Sequence, residues 1–142
     1  SRVVAYFLLI ATKNLWKYTY RSYICTKKMN IKNIQKQLSD FADERNWDQF
    51  HNPKNLAMAL SVEASELLEI FQWLTPEQAE SIMSSSESEH VKEEMADIMI
   101  YLIRMADKLN VDLENAVTDK IVKNGKRYPV SLSKGNAKKI TI

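Results

Sequence analysis

Glycine and proline are scarce, with two and three in 142 residues. So few turn-formers leave little material for the tight hairpins of a sheet protein. The single cysteine, Cys25, excludes an internal disulfide framework and fits a reducing compartment. The apolar run Val3–Ala11 has nine residues, less than half of the roughly 20 that a spanning helix requires. Acid is missing from residues 1–28, which carry six bases: Arg2, Lys13, Lys17, Arg21, Lys27 and Lys28.

Those six bases set the sign of the whole chain. The net charge is +2, but residues 29–142 hold the other 14 bases against all 18 acids, a net of −4. An acidic body excludes a protein that grips DNA or RNA by its phosphate backbone. An anionic ligand must instead be held by a metal or by a few placed cations. No small-residue cleavage site closely follows Val3–Ala11, which argues against a signal peptide. A membrane-surface anchor is the sharper reading of its basic and aromatic mixture. The simpler reading takes Met29 as the natural start, residues 1–28 as an extension outside the fold, and residues 29–142 as one domain.

Leu, Met, Ala, Glu and Lys are plentiful, a composition that favours helix. Ile31, Ile34, Leu38 and Phe41 recur at three- and four-residue steps and predict a helix over about 30–46. Asn52-Pro53 breaks the chain and starts a second helix, about 54–73. Thr75-Pro76 ends it, and a short helix near 76–83 follows. Ser86 and Glu89, spaced as a capping box, lead into a third long helix over about 87–109. Asp112 caps a fourth, about 113–124, with Gly125 at its expected C-terminal position. From Arg127 on the pattern reads as irregular. The fold class is all-α, a four-helix bundle with short connections.

Four carboxylates stand out. Glu63 and Glu66 lie three apart on the second helix, and Glu94 and Asp97 three apart on the third. That spacing puts each pair on one helix face. At about 100° per residue, Leu56, Leu60, Leu67, Phe71 and Leu74 form one stripe, and Glu63 falls about 20° from Leu56. Glu94 likewise borders the stripe of Ile98, Leu102, Met105 and Leu109, with Asp97 at its edge. Burying carboxylates without cations costs several kcal/mol each. No Lys or Arg lies between Leu56 and Leu74 to neutralise them. All-oxygen ligation suits Mg²⁺ or Mn²⁺ rather than zinc, and Mg²⁺ typically shares its site with substrate phosphates.

At these residues the chain resembles the MazG-like, all-α nucleotide pyrophosphohydrolases, marked by E-x-x-E, a spacer and E-x-x-D. Here the pattern is Glu63-x-x-Glu66, 27 intervening residues, then Glu94-x-x-Asp97. The run from Arg45 through Trp47, Phe50 and His51 to Asn55 extends the resemblance. So do Phe71-Gln-Trp73, Asp97 through Tyr101, Lys120 through Asn124, and Arg127-Tyr128-Pro129. Together they look like the dCTP pyrophosphatase branch over about residues 31–132. Two positions depart: Val62 stands where a glutamate often precedes the first motif acid, and Leu38 where that branch often has a histidine near the sugar.

The resemblance implies Mg²⁺-dependent (Mn²⁺ as substitute) cleavage of a nucleoside triphosphate to the monophosphate and pyrophosphate. Glu63, Glu66, Glu94 and Asp97 would hold the metal, any of them a candidate general base. Trp47 and Trp73 would stack on the base, with Phe50, His51 and Tyr101 lining the pocket. Lys120, Asn124 and Tyr128 would hold phosphates. It further implies a homo-oligomer, dimer or tetramer, working in the cytoplasm without membrane or polymeric nucleic acid. A ferritin-like di-iron bundle needs Glu-x-x-His on two helices, and only Glu87-x-x-His90 matches. A non-catalytic helical module that binds a nucleotide or a protein is the alternative.

Overall fold

The structure is a computed structural model that describes residues 29–137. The readings of residues 1–28 as an anchor or an extension therefore lie outside the described residues. Within them the chain is helical, with no strand. Helix α1 spans Ile31–Glu44, α2 Pro53–Phe71, α3 Pro76–Glu80, α4 Ser88–Lys108, α5 Leu113–Arg127 and α6 Val130–Ser133. Short 3₁₀ turns cover Asp48–Phe50 and Ile82–Ser84.

The helix starts follow local chemistry. The Asn30, Asn52 and Asp112 side chains each accept the backbone N–H three residues on, at 2.9, 2.9 and 3.0 Å, and so cap α1, α2 and α5. Pro53 occupies the first turn of α2, where its missing N–H costs nothing. Thr75 and Gln78 form a reciprocal capping box on α3. Asn46 ends the first segment in the left-handed region, at φ 55°.

Three local expectations are corrected. The Ser86–Glu89 box does not form: α4 starts at Ser88 behind Glu87, which caps nothing with its side chain. The Ser85 hydroxyl instead accepts the Glu87 N–H at 3.1 Å. Gly125 does not end α5. The helix runs on to Arg127, whose charge, with that of Lys126, suits the negative end of the helix dipole. The tail that read as irregular forms the short α6 behind Pro129.

Helix α4 is the centre of the packing, lined most extensively by α2 and then by α1. Leu56 of α2 and Ile103 of α4 are the largest fully buried side chains, joined by Ala42, Ile82, Val91, Tyr101 and Ala106. The expected apolar stripe of α4 is only partly covered: Ile98 and Met105 are half-buried, whereas Leu102 and Leu109 are 38% and 51% exposed, and neighbouring Met95 is 58% exposed. Tyr101 and Ile103, on opposite sides of α4, and Arg104 are buried, as expected for a central helix packed by both α2 and α1. No residue of α5 is buried, and Val117 and Ile121 lie open on its surface. Among the described residues no helix is long and apolar enough to cross a membrane.

Candidate active site

The pairing of α2 with α4 brings Glu63, Glu94 and Asp97 together, one ligand oxygen from each lying within 4.8 Å of the others. Glu94 is buried, and its Oε2 has no hydrogen-bond partner. Burial, then the charges of Asp97, Glu66 and Glu94, push the Glu63 carboxyl up to about 7. Asp97 is raised by burial and by the charges of Glu94, Glu93 and Glu66. Crowded acids with an orphaned inward oxygen are short of positive charge, and a hard divalent cation is the group that supplies it to oxygen ligands. The residues fit such an ion.

Glu66, expected as the fourth ligand, is not in the tight group, although its charge raises both Glu63 and Asp97. Sequence reasoning missed a neighbour on the rim. His90 places Nε2 3.2 Å from Glu94 Oε1 and Nδ1 3.3 Å from Glu87 Oε2. The signal was its spacing, three residues after Glu87 and four before Glu94. Tyr101 lies one turn past Asp97 and is buried. Burial and the nearby Glu63 charge raise its hydroxyl, which keeps its proton at neutral pH.

The turn from Trp47 to His51 sits farther along α4. Trp47 is half-buried, its ring edge-on to Phe41 at 5.8 Å and its backbone N–H donating to the Ala42 carbonyl at 2.8 Å. Phe50 is partly exposed, its carbonyl accepting from the Asn55 amide at 3.0 Å. His51 is buried, and Arg104 Nε donates to its Nδ1 at 3.3 Å. Burial, then the Arg104 charge, lower its pKa and keep the ring neutral.

The remaining expected site residues are on the surface of the single chain. Trp73 follows the end of α2 and is 86% exposed. Lys120 and Asn124 occupy successive turns of α5, and Tyr128 follows that helix. Among the described residues, no hydrogen bond, ion pair or ring contact joins these four to the carboxylates.

The chain matches the profile of the MazG-like family over residues 58–141. The stretch contains all four motif acids, and the chain belongs to that family. Two of its curated relatives are dCTP pyrophosphatase 1 of Bos taurus and of Mus musculus. The bovine protein is 44% identical over 112 residues, covering 78% of this chain and 66% of the relative. The mouse protein is 39% identical over 122 residues, covering 85% and 72%. The chain thus spans about two thirds of the length of the curated relatives it matches. Among solved structures, a pyrophosphatase from Archaeoglobus fulgidus superposes with a TM-score of 0.66 at 36% identity. That match covers 75% of this chain and 98% of the archaeal one.

Proposed function

We propose that the chain is a nucleoside triphosphate pyrophosphohydrolase that cleaves dCTP or a related deoxynucleotide to the monophosphate and pyrophosphate. The observation that carries the reading is the cluster of buried Glu94 with half-buried Glu63 and Asp97, in which one buried Glu94 oxygen has no hydrogen-bond partner. The relatives named dCTP pyrophosphatase 1 support the substrate class.

Glu63, Glu94 and Asp97, with Glu66 joining from the next turn of α2, would hold Mg²⁺, for which Mn²⁺ can substitute. The ion supplies positive charge to the triphosphate oxygens. One carboxylate of the group accepts a proton from water, whose oxygen attacks the α-phosphorus in line. The bond from that phosphorus to the bridging oxygen breaks, and pyrophosphate leaves. Tyr101, kept protonated beside the acids, can donate a hydrogen bond there without adding negative charge. Trp47, Phe50, His51 and Trp73 would hold the base, and Lys120, Asn124 and Tyr128 the phosphates. The working form would be a cytoplasmic homo-oligomer, dimer or tetramer, built from residues 29–142.

The test is a panel of ordinary and modified deoxy- and ribonucleoside triphosphates with Mg²⁺, scored for monophosphate and pyrophosphate. Cleavage with a preference for dCTP is expected. No pyrophosphate from any of them would return the chain to the class of non-catalytic binding modules.

A further inference from the structure

A second charged assembly, built around a buried guanidinium, lies beyond the carboxylates on α4. Arg104 is 3% exposed, and every side of its guanidinium is engaged. Nη1 donates to Asp107 at 2.8 Å, Nη2 to Asp48, and Nε to His51 Nδ1 at 3.3 Å. Lys108 also donates to Asp48, whose carboxyl is held below its usual range first by that bond. Asp107 is a neighbour on α4 itself, whereas Asp48 and His51 arrive from the turn before α2.

Pairing a buried guanidinium with part-exposed carboxylates is a poor way to gain stability, because desolvation of Arg104 offsets much of the attraction. What such a pair does well is hold one geometry, since a planar guanidinium with three engaged edges admits few alternatives. The geometry held here is specific. Asp97, Tyr101 and Arg104 are spaced four and three residues apart, so they share one side of α4. Asp97 and Arg104 are separated by about 10 Å of helix rise. The acid group and the Trp47–His51 turn are therefore fastened to one rigid rod.

The same contact selects a state of the histidine. A guanidinium has no acceptor, so the Arg104 Nε–H must be the donor and His51 Nδ1 the lone pair. The neutral ring then carries its proton on Nε2.

We propose that Arg104 is a positioning residue for the nucleoside end of the site: it fixes the Trp47–His51 turn at a set distance from Asp97 and holds His51 as the Nε2–H tautomer. This rests on the pyrophosphohydrolase reading for its consequence in catalysis, but not for its geometry.

The experiment combines ¹⁵N NMR of the histidine-labelled full chain with kinetics and Mn²⁺ titration. In the wild type His51 gives the pattern of a single Nε2–H tautomer at neutral pH, and Arg104→Lys turns it into a mixture. In Arg104→Lys and in the milder Asp48→Asn, KM for the nucleotide rises about tenfold, as for loss of one charge-assisted hydrogen bond. Meanwhile kcat stays within about threefold and Mn²⁺ affinity within about twofold, the pattern of lost uniform binding. Asp48 is half-exposed, so its variant reports even where Arg104→Lys unfolds. An Nδ1–H His51 in the wild type overturns the proposal. So does a parallel fall of kcat and Mn²⁺ affinity in Asp48→Asn. A chain that cleaves no nucleotide overturns the proposed reaction, and the wild-type tautomer still judges the clamp by itself.

Discussion

Glu63 on α2 and Asp97 on α4, 34 positions apart in the chain, hold carboxylate oxygens within 4.8 Å of each other. With no cation between them their charges repel, and Glu94 adds a third. Replacing either by its amide keeps the shape and removes one charge. Glu63→Gln and Asp97→Asn are each expected to lower turnover by about a hundredfold or more, since Mg²⁺ binds through charged oxygens. Helicity by circular dichroism should be unchanged, and the metal-free melting temperature should rise, because a repelling charge has gone. Activity within about threefold of wild type in either variant would remove that residue from the metal site.

The raised carboxyl of Glu63 gives a pH dependence of definite sign. Its folded value, about 7, lies above its ordinary value of 4.5. The protonated group is therefore favoured by the metal-free fold, and its contribution is fully present below about pH 4.5 and lost as pH rises through about 7. Asp97 is shifted in the same direction and adds to the trend. With EDTA present, thermal stability is expected to fall from pH 5 to pH 8. Added Mg²⁺ should restore it more at pH 8 than at pH 5, because the ion needs deprotonated ligands. A Tm gain from Mg²⁺ that is equal at both pH values would mean that Glu63 does not bind the ion.

Local chemistry was readable wherever a side chain acts within about one turn. Asn52 with Pro53 and Asp112 cap the helices they were expected to start, and Thr75, expected only to close the second helix, also caps α3. The inward turn of Glu63 and Glu94 was also visible, because an acid on an apolar stripe stands out against period 3.6. Periodicity says that Leu102 and Leu109 want cover but not which helix provides it, and among the described residues none covers them fully. The Asp48–His51–Arg104 contact joins residues 53 and 56 positions apart, beyond the reach of any local rule. Gly125 misled because a glycine is only enriched after helices, and here Lys126 and Arg127 carry the helix past it.

Trp47 and Trp73 occupy opposite environments. Trp47 is half-buried with its edge against Phe41, whereas Trp73 is almost fully exposed. If both stack on the base, each contact contributes about 1–3 kcal/mol, equally in ground and transition states. Trp73→Ala is then expected to raise KM about tenfold or more with kcat nearly unchanged. Trp47→Ala should do the same and also lower stability by about 1 kcal/mol or more through the lost Phe41 contact. Steady-state kinetics with denaturant melts separates the two effects. An unchanged KM in both variants would remove the tryptophans from the base pocket.

The apolar residues left open on α4 and α5 argue for a second copy of the chain. Met95, Leu102 and Leu109 repeat every seven residues, so they line one face of α4 as a seam does in a helix–helix contact. Val117 and Ile121 continue the open apolar surface on α5, where they are 55% and 64% exposed. A soluble monomer rarely leaves contiguous apolar patches larger than a few hundred Å² uncovered, and closed symmetric pairing covers such a face by using it twice. Leu102→Glu would place a charge at the middle of the seam, where burial without a partner costs several kcal/mol per copy. Light scattering coupled to gel filtration is therefore expected to show an oligomer for the wild type and a monomer for Leu102→Glu. Lys92→Glu, a charge change at an exposed position bonded only to Glu89, should leave the assembly intact. A wild-type monomer at micromolar concentration, or an unchanged oligomer in Leu102→Glu, would show that this face of α4 is not the contact.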